Sequence, residues 1–179
     1  CGTLEGARTH LSWQMIVSPE SLLAEAKQLR YARGVYDPFS LLTVDERALC
    51  VTPFHGIVSR VKELALRDNP RGTVGVGAGV AYRCFQQEPD AALCARDLKR
   101  PGLRDRLADL RLEAVKMLTA TPIDSILATD QEEYRREMHV LHDDEFFNNV
   151  VAQYREVAGL VEVVNDSYLG ETILSKPGV

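Results

Sequence analysis

Apolar positions along the chain alternate between a period near 3.6 and short strand-like runs. In "VSPESLLAEAKQLRYARG" the residues Leu22, Leu23, Ala26 and Leu29 recur on one helical face. Ser18 stands where a helix cap belongs, Pro19 fits a first turn and Gly34 follows the end, so the segment predicts a helix with both stops written in. Two short strand-like runs around an Asp-Glu turn follow in "YDPFSLLTVDERALCVTP", the second being Ala48 to Thr52. Helical period returns from Pro53 to Arg67 through Phe54, Ile57, Val58, Val61, Leu64 and Ala65.

Beyond a glycine-rich stretch, Leu103, Leu107, Leu110, Ala114, Val115 and Leu118 form one side of an amphipathic helix. A longer helical stretch is expected from about Asp130 to Val164, with a break near His142 to Glu145 where four polar residues interrupt the apolar period. The closing "GETILSKPGV" reads as a turn and the start of a strand. These elements predict an α/β, helix-rich fold with a few short strands and several long helices.

Composition narrows the picture only modestly. The 179 residues, 45% hydrophobic, are enough to bury one core, and a single compact unit is expected over 1–179. Within it, 1–100 reads as a mixed strand and helix part and 101–179 as mainly helical. A net charge of −5 gives no global field for nucleic acid or an anionic bilayer. Charge is uneven, however: Arg96 to Lys116 holds seven basic residues against four acids, and Asp130 to Glu145 seven acids against two arginines. The first stretch is a candidate anion-facing surface, or simply a solvated helix face.

Cys1, Cys50, Cys84 and Cys94 form no CxxC pair, and the chain has no apolar run of 18 residues. Reduced thiols and a cytoplasmic location are expected. Beginning on Cys1, the chain is either processed to expose a nucleophilic terminal thiol or part of a longer protein, and the second reading is preferred. His139 and His142 beside Asp143 and Asp144 could hold a metal on one helix face, although zinc wants more ligands than this spacing supplies. His55, after Pro53 and Phe54, reads as a packing and hydrogen-bonding residue rather than a base. Neither Asp124 with Ser125 nor His142 with any serine gives a recognisable catalytic order.

The stretch with the most distinctive chemistry is "RGTVGVGAGVAY", residues 71–82. Glycines let backbone amides approach an anion and let the chain take positive φ, so a glycine bend opening a helix can cradle phosphate. The run lacks the Lys-Ser/Thr ending of a P-loop, and Val80 stands where a dinucleotide fingerprint needs glycine. A packing turn that only glycine can make remains the alternative.

Taken with "THLSWQMIVSPESLLAEAKQL" and "ALCVTPFHGIVSRVKELA", the glycine run resembles the middle portion of adenylosuccinate synthetases. Those enzymes carry a "V.P(Y/F)H" segment, a helix, and a loop of the form G-T-T-G-R-G-I-G-P-A-Y. Pro53, Phe54 and His55 match the first, and Gly72, Thr73, Gly75, Gly77, Gly79, Ala81 and Tyr82 match the loop. Asp97 and Leu98 match a later "GDL" segment.

The resemblance implies a GTP- and Mg²⁺-dependent ligase joining inosine monophosphate (IMP) to L-aspartate, working as a homodimer in purine synthesis. It implies that Gly72, Thr73, Val74, Gly75, Val76 and Gly77 form the IMP-phosphate loop. It assigns no catalytic or metal-binding residue to this chain, which would be the middle part of the enzyme, inactive alone, with GTP and Mg²⁺ held elsewhere. Two departures stand out: the family's second loop Thr, which contacts the phosphate, is Val74 here, and its Arg is Val76. Valine supplies neither hydroxyl nor charge, so main-chain donors would carry the contact. A non-catalytic helical interaction module that kept the scaffold is the alternative.

Overall fold

The computed structural model describes residues 2–66 and 72–175. In chain order the elements are β1 (Thr9–Leu11), β2 (Ile16–Val17), α1 (Pro19–Arg33), β3 (Leu42–Asp45), β4 (Leu49–Cys50), α2 (Pro53–Leu64), α3 (Ala78–Gln87), α4 (Ala95–Leu98), α5 (Leu103–Thr119), α6 (Gln131–His142), α7 (Asp144–Leu160) and β5 (Glu162–Val164). The architecture is helix-rich α/β, as the pattern predicts. Contacts divide the chain into two discontinuous units.

The first unit comprises 1–50, 93–101 and 153–179. Strands β1, β3 and β5 form one parallel sheet with β3 central, in the register His10↔Thr43 and Val44↔Val163, and β2 pairs in parallel with β4. Parallel neighbours need a crossover, and α1 supplies it between β1 and β3. Ser18 Oγ accepts from the Ser21 N–H, Pro19 opens the helix, and Gly34 ends it at φ +68°, all as the sequence predicts. Val44, Ala48, Cys50, Leu93, Tyr154 and Val157 form the core.

The second unit comprises 51–92 and 102–152. Here α2 is buried on most of its surface: Phe54, Ile57, Val58 and Val61 are sealed, and α5 contributes Leu107 and Leu118. Phe54 stacks on Phe147 with centroids 6.2 Å apart and meets Phe146 edge-on at 6.4 Å.

Three expectations are corrected. The stretch after Leu160 leaves the helix and becomes β5, because Glu162–Val164 pairs with Thr43–Asp45 along the open edge of β3. The segment near the C-terminus is a short π-helical turn over Leu169–Leu174 rather than a strand. The helix predicted from Pro53 ends at Leu64, and Arg67 lies outside the described residues. The break expected near His142 is present, with Asp143 extended between α6 and α7.

Candidate functional site

The glycine bend sits between α2 and α3, and its shape follows from what packs beneath it. Gly75 and Gly77 take φ of +75° and +89° and are buried, whereas Gly72, Thr73, Val74 and Val76 are exposed, Val74 by 91%. A Cβ on Gly77 would lie 2.4 Å from the Gly56 nitrogen and the His55 carbonyl carbon, so backbone rides directly on backbone. A Cβ on Gly75 would stand 2.6 Å from Arg60 Cγ. Glycine is therefore required at both places by space as well as by dihedral.

Two α2 side chains one turn apart grip the bend. Arg60 Nη1 donates to the Gly75 carbonyl at 3.1 Å, while its Nε and Nη2 form a two-pronged pair with Glu137 of α6 at 2.5 and 2.7 Å. Glu63 Oε1 accepts the Gly72 N–H at 2.7 Å. The N–H groups of Thr73, Val74, Gly75, Val76 and Gly77 donate to nothing among the described residues. Gly77 caps α3 with no side chain, so the Ala78 and Gly79 amides of its first turn have no side-chain cap either, while the Val80 N–H donates to the Gly77 carbonyl at 3.0 Å. The bend thus presents a short row of main-chain donors flanked by two valines, with Arg71 outside the described residues.

His55 has a different task. Its Nδ1 accepts the Thr52 N–H at 3.0 Å and lies 2.9 Å from the Thr52 hydroxyl, and its own N–H donates to that hydroxyl at 3.4 Å. The pair is a capping box in which a histidine replaces the usual Glu or Gln. An N–H can only donate, so Nδ1 is the acceptor and the neutral ring keeps its proton on Nε2. Burial lowers its pKa to about 4. The packing and hydrogen-bonding expected of His55 are present, and the structure adds its capping role. His55 also lines a cavity of about 410 Å³ with Val58, Cys84, Leu110 and Met117, rimmed by Glu88 just after α3 and by charged side chains of α5; no described residue of the bend lines it.

The other candidates are absorbed by structure. Among the described residues no three His, Cys, Asp or Glu side chains are grouped to hold a metal ion. Asp143 accepts the Glu145 N–H at 2.8 Å and Asp144 pairs with Arg111 at 2.8 Å, so the carboxylates beside His142 are engaged within the protein. Much of the basic stretch is engaged within the protein: Arg104 binds Asn148, Arg106 binds the Asp90 and Ala91 carbonyls, Arg111 binds the Leu141 carbonyl, and Lys116 binds Glu113 on the surface. Asp97 accepts the Cys94 N–H and pairs with Arg100, each at 2.9 Å. Cys50, Cys84 and Cys94 are unbridged, burial pushes the Cys50 thiol well up, and Cys1 lies outside the described residues. No helix among the described residues is long and apolar enough to cross a membrane.

An α/β, helix-rich chain with a glycine bend seated on a Pro-Phe-His helix start is the class these features define. The adenylosuccinate synthetase family model matches residues 1–166, and the chain belongs to that family. It is 30% identical over 150 residues to the adenylosuccinate synthetase of Streptococcus gordonii, covering 80% of this chain and 34% of that protein. It is 32% identical over 68 residues to the Wolinella succinogenes enzyme of the same name, covering 38% of this chain and 15% of that protein. The matches thus span about a third of the longer-matched relative, or less.

Sequence reasoning placed the bend but missed its supports. Arg60, Glu63 and Glu137 sit on polar helix positions whose partners are 15, 9 and 77 residues away in the chain. No local pattern marks such pairings.

Proposed function

We propose that this chain is part of a ligase that joins IMP to L-aspartate at the expense of GTP, and that Gly72 to Gly77 holds the phosphate end of the purine mononucleotide. Family membership supports the reaction class. The observation that carries the site is the run of unpartnered main-chain N–H groups from Thr73 to Gly77 above two space-requiring glycines. Such a row is the donor set an oxyanion needs where Val74 and Val76 supply neither hydroxyl nor charge. Thr73 is the remaining side chain of the bend that can donate to a phosphate oxygen.

In this reading the chain's own part in catalysis is positioning. The bend fixes the nucleotide's anionic end, and the rigid seat on His55 and Gly56 sets where the base then lies. GTP and Mg²⁺ would supply the phosphoryl group and its charge neutralisation. We further infer that GTP and Mg²⁺ are held by other parts of a cytoplasmic, homodimeric enzyme, of which residues 1–179 form one unit that makes no product alone.

The test is a thermal-shift titration of the full-length parent with IMP, inosine and GTP. IMP is expected to stabilise the protein well beyond inosine, and an absence of any IMP response would remove the reading. A second reading, a helical interaction module without chemistry, is favoured by one feature: Val74, at 91% exposure, puts an apolar surface where the family places a phosphate-binding hydroxyl. That module would respond to neither nucleotide.

A further inference from the structure

The geometry points to Arg60 as a positioning residue that aims and polarises the Val76 N–H toward the bound anion. This rests on the phosphate reading of the bend.

Every peptide of the bend is trans, so the carbonyl and the N–H of each planar unit point in opposite directions. A Cβ placed on Gly56 would find the Gly75 and Val76 carbonyl oxygens at 3.1 and 3.5 Å, which shows both carbonyls turned inward over α2. Their partner hydrogens, on Val76 and Gly77, therefore turn away from α2. Val76 is 52% exposed and its N–H has no partner among the described residues.

Arg60 fixes this arrangement at the Gly75–Val76 peptide. Its Nη1 holds the inward carbonyl at 3.1 Å, and its stem fills the space beside Gly75 where a side chain would otherwise go. Glu137 grips Nε and Nη2 together, which leaves the guanidinium one orientation. A cationic donor on the carbonyl end draws electron density through the conjugated amide, so the N–H at the other end becomes a stronger donor. Positive charge thus reaches the ligand through a peptide instead of through a side chain. Glu137 lessens the net charge but supplies the rigidity, and rigidity is what keeps the amide aimed.

The experiment compares IMP with inosine on the full-length parent by calorimetric titration, because only the difference between them reports the phosphate contact. Arg60→Met is expected to weaken IMP about tenfold while leaving inosine within about twofold. Arg60→Lys, which keeps the charge but not the two-sided grip, should fall between. Glu137→Gln should shift IMP alone, in the same direction and by less. If Arg60→Met does not fold, Glu137→Gln decides. A fall in IMP and inosine together, or an IMP affinity that no variant moves, overturns the positioning role while leaving the phosphate site standing. A wild-type protein that binds IMP no better than inosine overturns both.

Discussion

Two helix starts lie back to back in the second unit and are built in opposite ways. At α2 the Thr52–His55 box closes the end with side chains, all within a buried shell. At α3 Gly77 contributes no side-chain cap, and the amides from Thr73 to Gly77 have no partner among the described residues. An end that has already satisfied its own donors has nothing left for a ligand. One stripped of side chains keeps its donors available but must borrow its shape from a neighbour, here the α2 backbone and Arg60. The closed start is the support and the open start is the candidate site.

The largest way to break that pairing is Gly77→Ala. A methyl at 2.4 Å from two backbone atoms, on a residue at φ +89°, forces the helix starts apart, and chemical unfolding of the full-length protein should show a loss of about 3 kcal/mol or more. Acid attacks the closed start next. The folded His55 pKa of about 4 lies below its ordinary 6.5, so the unfolded chain takes up the proton first as pH falls. Stability from this residue is complete above pH 6.5 and declines by about 3 kcal/mol as pH reaches 4. His55→Gln should flatten the urea-unfolding profile across that window.

Val76→Arg sharpens the open side. Returning a cation to the bend should raise IMP affinity about tenfold in the full-length protein while leaving inosine unchanged, and an equal gain for both would count against a phosphate contact. The smallest effect is expected for Thr52→Ala, which removes one half of the capping box and should cost about 1 kcal/mol in unfolding without altering the IMP-to-inosine ratio.

What the sequence made legible was what is local. Ser18, Pro19 and Gly34 act within one helix, so their roles could be read directly, and the glycines at 75 and 77 announce a bend whatever surrounds it. Strands β1, β2 and β5 span only two or three residues, too few to show a period of two, and their pairing comes from partners far along the chain. β5 was hidden for a further reason: Val161, Val163 and Val164 extend the apolar run of α7, and only the free edge of β3 decides that they leave the helix. α3 went unassigned because its glycine-rich opening argues against helix, and the bend that compensates is tertiary. At the site, the glycines were readable, but the direction of each amide depends on Arg60 and on Gly56, which no spacing rule connects to them.

The seat of Gly77 on His55 and Gly56 has a mechanical consequence. Two main chains pressed together with no side chain between them have no rotamer to adjust and no methylene to compress, so this junction lacks a soft coordinate. On the proposed phosphate reading, a guest at the bend would meet a template cast before it came, so its selection would be by fit to a fixed outline with little reorganisation on entry or departure.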